Sequence, residues 1–280
     1  PRANVAALRI NDVLKTKVSV TDPENPVLPA EDVKGIVEFD HVSFAYPEAG
    51  ENVLTDISFK AEKGETIAVI GSTGSGKSTL VNLIPRFYDV TKGRILVDGV
   101  DVRDMTQKDV RSRLGYVPQK GILFSGTIDS NIRYGKTDIS VEEVKEAAEV
   151  AQATEFIDAK PETYDSPISQ GGTNVSGGQK QRLSIARAIA KKPEIFIFDD
   201  SFSALDFKTD STLRKALKAH TKDATTIIVA QRISTILNAD KIIVLDDGHM
   251  AGIGTHEELM KNCEVYRQIA MSQLSEEELA

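Results

Sequence analysis

Gly71-Ser72-Thr73-Gly74-Ser75-Gly76-Lys77-Ser78-Thr79 sets three glycines, a lysine and several hydroxyls in the pattern G-x-x-x-x-G-K-[ST], directly after the apolar run 66–70. That order suits the holding of phosphate. Glycines at 71, 74 and 76 let the backbone turn tightly and present its N–H groups to anionic oxygens. A helix starting at Lys77 would aim its positive end at the same anion. Lys77 would then reach the β- and γ-phosphates of a nucleoside triphosphate, and Ser78 would offer its hydroxyl to Mg2+. A flexible Gly/Ser connection is the plainer alternative, and it leaves the lysine and the preceding strand pattern unexplained.

Two acids, Asp199 and Asp200, follow the apolar run 195–198. In a doubly wound sheet ligands bind where strands end, so Asp199 fits a carboxylate holding Mg2+. Two solvated acids after a strand are common, and the phosphate loop is what favours the metal reading. A third string, Asn174-Val175-Ser176-Gly177-Gly178-Gln179-Lys180-Gln181-Arg182, is another anion site in form. Ser176 and the N–H groups of Gly177 and Gly178 open a helix expected to run to Ala190, which reads equally as a Ser N-cap with a glycine entry.

These groups need a scaffold. Runs 36–39, 42–44 and 53–60 alternate like strands and predict a small antiparallel unit ahead of the phosphate loop. Short apolar runs at 195–198, 226–229 and 242–245 read as buried parallel strands, with a helix over 209–219 between them. Residues 119–192 are mostly helical in pattern, with a capping box at Ser140-Val141-Glu142-Glu143 ahead of 144–151. A second box, Thr255-His256-Glu257-Glu258, opens the C-terminal helices. Upstream, 5–16 has one apolar stripe at helical spacing, and 21–30 carries three prolines, an extended linker. The domain boundary is placed near Glu31, giving 1–30 as helix and linker and 31–280 as the main domain, with a helical insertion over about 120–192.

Composition bounds the partners. A 40% hydrophobic, 27% charged chain of 280 residues is ordinary for a globular protein, and no run approaches the ~18–20 apolar residues that cross a bilayer. The net charge of −8 argues against wholesale nucleic-acid binding, which needs a clustered Lys/Arg excess. The single Cys263 excludes an internal disulfide framework and fits a reducing compartment. Without an initiator Met or signal peptide, Pro1 reads as the start of an excised piece of a longer chain.

The string 174–182 resembles the L-S-G-G-Q signature of ATP-binding-cassette (ABC) ATPases, with Val175 in place of leucine. Other motifs of that family follow in its order. Tyr46 resembles the aromatic that stacks on adenine. Gln119, in Tyr116-Val117-Pro118-Gln119, resembles the glutamine that senses Mg2+ and the γ-phosphate. Asp206, in Ser203-Ala204-Leu205-Asp206, resembles the loop linking the two ATP sites of a dimer. The stretch from Leu123 to Ile132 looks like the exporter branch, and the resemblance spans Gly35 to about Gln273.

The resemblance implies an α/β fold: a P-loop NTPase core of ABC ATPase type with an N-terminal antiparallel β subdomain and an inserted α-helical subdomain. It implies an ATPase on the cytoplasmic face of the cell membrane, fused to a transmembrane domain and paired with a second half-transporter. ATP and Mg2+ are the ligands it implies: the loop 71–79 and Tyr46 on ATP, Ser78, Gln119 and Asp199 on the metal, and Val175, Ser176, Gly177, Gly178, Gln179 and Asp206 at the dimer site.

Three further positions depart from the family pattern. Asp200 stands where a glutamate acts as general base or water-positioner, and its carboxylate sits about 1 Å or more farther back. Gln231, in Ala230-Gln231-Arg232-Ile233-Ser234-Thr235, replaces the switch histidine and cannot become cationic. Gln170 replaces a glutamate near the transmembrane coupling helices. The first two weaken hydrolysis and spare binding. In the family such losses mark one half of a heterodimeric exporter with one degenerate site. The alternatives are a slow homodimeric exporter and a soluble ABC ATPase acting on DNA or ribosomes; the latter lacks the coiled-coil insertion or basic arm that would favour it.

Overall fold

A computed structural model describes residues 2–47, 49–136 and 138–274, so 275–280, in the main domain expected from sequence, lie outside it. Six strands form the central sheet, in the spatial order His249–Gly254, Lys241–Asp246, Thr66–Gly71, Thr225–Val229, Ile195–Asp199 and Leu114–Val117. All neighbours are parallel except the edge strand His249–Gly254. The inner strands are apolar on both faces because helices cover both, and Ile195–Asp199 is buried along its whole length.

An antiparallel sheet of four strands, Leu54–Ala61, Val37–Phe44, Lys92–Val97 and Val100–Asp101, flanks this core; the first two precede the loop 71–79, as expected from sequence, and the last two follow it. The runs 36–39 and 42–44 are one strand, not two. His41 takes a left-handed φ of 50° and the register shifts between Phe39 and Val42, so the polar pair Asp40-His41 is a bulge.

Between the core strands lies a helical block of Ile128–Ile132, Val141–Val150, Thr154–Asp158 and Gly177–Ala190, with a two-stranded ribbon pairing Gly126–Thr127 with Pro167–Ile168. Its own apolar cluster includes Ile132, Val144, Ile157, Leu183 and Ile189. Ser140 and Glu143 form the capping box read from the sequence, so the helix starts at Val141.

The helix Arg2–Lys15 leaves Val5, Leu8, Val13 and Leu14 exposed, and no helix among the described residues is long and apolar enough to cross a membrane. The proline-rich stretch after it is tied to the core. Val27 N–H donates to Asp104 O at 2.8 Å, Gln107 N–H to the Asp22 carboxylate at 2.8 Å, and nearly buried Arg86 to Thr21 O at 2.9 Å.

Candidate functional site

Four adjacent parallel strands deliver the candidate residues to one edge. Register places Val229 level with both Val69 and Asp199, and Val117 level with Phe198. Beyond those rungs the chain leaves the sheet as the loop 71–76, as Ala230-Gln231, as Asp200 and as Pro118-Gln119. This is the edge where open parallel sheets bind ligands.

The loop turns into the helix Lys77–Leu83 at Gly76, whose φ is 99°. A Cβ there would lie 2.7 Å from Leu54 Cδ2 and 3.1 Å from Val53 O, so only glycine fits. At Gly74, φ is 86° and a Cβ would meet nothing within 4 Å among the described residues, leaving the loop crest open to a ligand. Gly76 offers no side-chain cap, so the first N–H groups of the helix lack intrahelical partners. Ser75 Oγ is buried without a hydrogen-bond partner among the described residues. Lys77 Nζ donates to Gly71 O at 2.9 Å and Ser72 O at 2.7 Å, folding over the loop. Burial lowers its pKa, and the nearby Asp200 and Asp199 oppose that shift. Free donors, an open crest and an ammonium group together fit a polyphosphate.

Ser78 Oγ donates to Asp199 Oδ1 at 2.9 Å. Burial raises the Asp199 pKa, the Ser78 hydrogen bond working against it. Among the described residues no group of three or more His, Cys, Asp or Glu could hold a metal. Ser78 and Asp199 therefore offer two oxygens, which fits Mg2+ that takes its remaining ligands from phosphate and water.

Asp200 is held differently. Its backbone is left-handed, φ 47°, a conformation aspartate tolerates better than most residues. Its Oδ2 accepts from Gln119 Nε2 at 3.1 Å and from Gln231 Nε2 at 2.7 Å. Gln119 thus points to Asp200, and it makes no hydrogen bond to Ser78 or Asp199 among the described residues.

Tyr46 sits beside the loop helix, its hydroxyl 3.0 Å from Thr79 Oγ1. Its ring neighbours Phe44 and Tyr88 meet it at 80° and 90°, so neither stacks flat on it. Ser176 caps the helix Gly177–Ala190 and shares a reciprocal capping box with Gln179, while Val175 is buried in the helical block. A Cβ at Gly178 would lie 3.6 Å from Ala204 O, so this helix start abuts the loop 203–206. Asp206 caps the helix Phe207–His220 by accepting from Thr209 N–H, which lowers its pKa. No hydrogen bond among the described residues joins 175–179 to the phosphate loop. Gln170 is exposed on the short turn Gln170–Gly172.

One residue that no motif marked also reaches the site. Gln273, after the last described helix Glu264–Met271, hydrogen-bonds the backbone on both sides of Arg232. Its 40-residue separation from that loop leaves no local pattern to read.

The ABC transporter family profile matches residues 54–203, more than half of the chain. An uncharacterized ABC transporter ATP-binding protein of Mycobacterium tuberculosis, Rv1273c, is 48% identical over 276 residues, 98% of this chain and 47% of that protein. YgaD of Bacillus subtilis, an ATP-binding/permease protein provisionally assigned to multidrug export, is 46% identical over 261 residues, 93% of this chain and 45% of that protein. The chain spans about half the length of the curated relatives it matches. The solved structure of a bacterial Atm1-family ABC exporter with ATP bound superposes with a TM-score of 0.90 at 37% identity, over 98% of this chain and 48% of that one. Relatives and structure match nearly the whole chain, the family profile matches its middle, and all agree with the geometry at the sheet edge: the chain belongs to the ABC transporter family, as an ATP-binding domain, a domain class that hydrolyses ATP.

Proposed function

We propose that this chain is the ATP-binding part of one subunit of a two-subunit exporter whose subunits differ, that its own hydrolytic site is weak, and that its Ser176 helix start completes the partner's site. The observation that carries this reading is the Asp200 carboxylate, one methylene shorter than a glutamate and holding two neutral amides, Gln119 and Gln231, on a single oxygen. Residues 1–30 would join the domain to a transmembrane segment, and the assembly would work at the cytoplasmic face of a membrane.

On this reading the loop 71–79 holds the phosphates, with Lys77 on the β- and γ-oxygens and Tyr46 against the base. Mg2+, held through Ser78 and Asp199, neutralises charge on the phosphate oxygens when bound. Asp200 orients water from too far back, and a displacement of ~1 Å can lower a rate by on the order of a hundredfold. Gln231 donates a hydrogen bond but carries no charge toward a developing anion. Binding is kept and turnover is lost.

The subunit composition is tested by intact-mass measurement of the full-length transporter purified from its native cells. A one-to-one complex with a second ABC half-transporter of different sequence is expected. Recovery of two copies of this chain alone would contradict it. Tyr46→Ala should weaken ATP and GTP to a similar extent, roughly tenfold, because a ring reads the π-face of either base. A loss confined to one nucleotide, measured by equilibrium titration, would assign base recognition elsewhere.

A further inference from the structure

We infer that Gln273 is a positioning residue that sets the switch loop and, through it, the Gln231 side chain. Gln273 Nε2 donates to Gln231 O at 2.9 Å, and its Oε1 accepts from Ile233 N–H at 2.9 Å. One amide thus brackets Arg232 from both sides. The short helix Ile233–Ile236 has no side-chain cap from its own N-cap residue Arg232, so Gln273 supplies the acceptor its first N–H needs.

Besides Gln273, the loop is held by Ala230 N–H to Val69 O and by Arg214 Nη1 to Ser234 O, each at 3.1 Å, and neither grips Gln231 itself. Asp200, Gln231, Arg232 and Gln273 line a cavity of about 540 Å3, so among the described residues no packed side chain covers this face of the loop. Gln273 itself is well anchored. Tyr266 and Ala270 of the preceding helix are fully buried with Ile233 and Ile236, and Leu274 packs against the same cluster. The helix end is therefore a fixed point from which the exposed Gln273 side chain reaches the loop. A continuous set of hydrogen bonds results: Gln273 to the Gln231 backbone, the Gln231 amide to Asp200 Oδ2, and Gln119 to the same oxygen. Because the clamp grips backbone atoms, it acts whatever side chain stands at 231.

This inference rests on the proposed role of Gln231, and the test separates the two. The full-length transporter is assayed for ATPase in two backgrounds: unaltered, and carrying Asp200→Glu with Gln231→His, which should raise this site's turnover. Gln273→Ala is added to each. In the repaired background the turnover gained by the repair should fall about three- to tenfold with KM for Mg-ATP within about twofold, since loop placement affects the reacting state more than binding. Gln273→Glu, which sets a carboxylate oxygen against Gln231 O where the amide donated, should lose at least as much as Gln273→Ala. Hydrogen exchange at Ile233 should accelerate in Gln273→Ala with the thermal midpoint unchanged, as a fold defect would not do.

If repair raises turnover and Gln273→Ala leaves it untouched, the clamp is structural only and the inference fails while the weak-site reading stands. If repair raises nothing, the weak-site reading fails. The clamp is then judged in the unaltered transporter: the same fall in kcat supports it and no fall overturns it.

Discussion

Lys77→Ala should weaken Mg-ATP binding to this chain by roughly a hundredfold, because charge-assisted hydrogen bonds to phosphate are worth about 1.5–3 kcal/mol each. The lysine is built into the loop: its amine holds Gly71 O at 2.9 Å and Ser72 O at 2.7 Å. It is half-buried, which disfavours its charge, and Asp199 and Asp200 oppose that loss. Truncation removes the cation and releases both carbonyls, so the cradle loses charge and shape together. Asp200→Asn, in contrast, should change affinity by less than about threefold, since the amide keeps an oxygen to accept from Gln119 or Gln231. Equilibrium nucleotide titration of the two variants decides the matter. Equal losses would mean that Asp200 is a binding group and that the roles are misassigned.

Ser176→Arg should bring the ATPase of the assembled transporter close to background. Ser176 opens a helix of 14 residues, its hydroxyl accepting from Gln179 N–H, and a Cβ on the neighbouring Gly177 would meet nothing within 4 Å among the described residues. The helix start is thus open outward, yet within this chain it makes no hydrogen bond to the phosphate loop. On the proposed reading, that helix start is completed by a nucleotide held on the partner subunit. Arginine fills that opening with a long side chain and also removes the cap, a loss of about 1 kcal/mol that is too small to unfold the domain. Ser176→Ala separates the two effects: it removes the cap without adding bulk and should retain much more activity. Steady-state ATPase of both variants in the full transporter is the check.

The nucleotide loop, the acid-tipped strand and the capping boxes were legible in the sequence because each depends on local chemistry. Gly76 must be glycine where Leu54 and Val53 crowd its Cβ, and Ser140 and Glu143 satisfy each other's backbone within a single turn. Elements whose stability comes from distant partners were not legible. Lys92–Val97 begins with exposed residues and becomes a strand through its pairing with Val37–Phe44, and Leu114–Val117 is a short edge strand set by Ile195–Asp199. The same holds at the site. Asp200 and Gln231 stood out as departures, but their meeting at one carboxylate oxygen with Gln119 follows from sheet register across 81 and 31 residues. The docking of the proline-rich segment on Arg86, Asp104 and Gln107 likewise depends on tertiary placement, which proline spacing does not encode.

The weak-site account is tested most directly by the ATPase of the assembled full-length transporter carrying Asp200→Asn, measured beside Ser176→Arg under saturating Mg-ATP. If this chain's own phosphate loop forms the weak site while its Ser176 helix serves the competent one, Asp200→Asn should keep more than about half of the turnover while Ser176→Arg loses nearly all of it. A fall in Asp200→Asn as deep as that in Ser176→Arg would show that Asp200 carries the main hydrolytic step and would contradict the account.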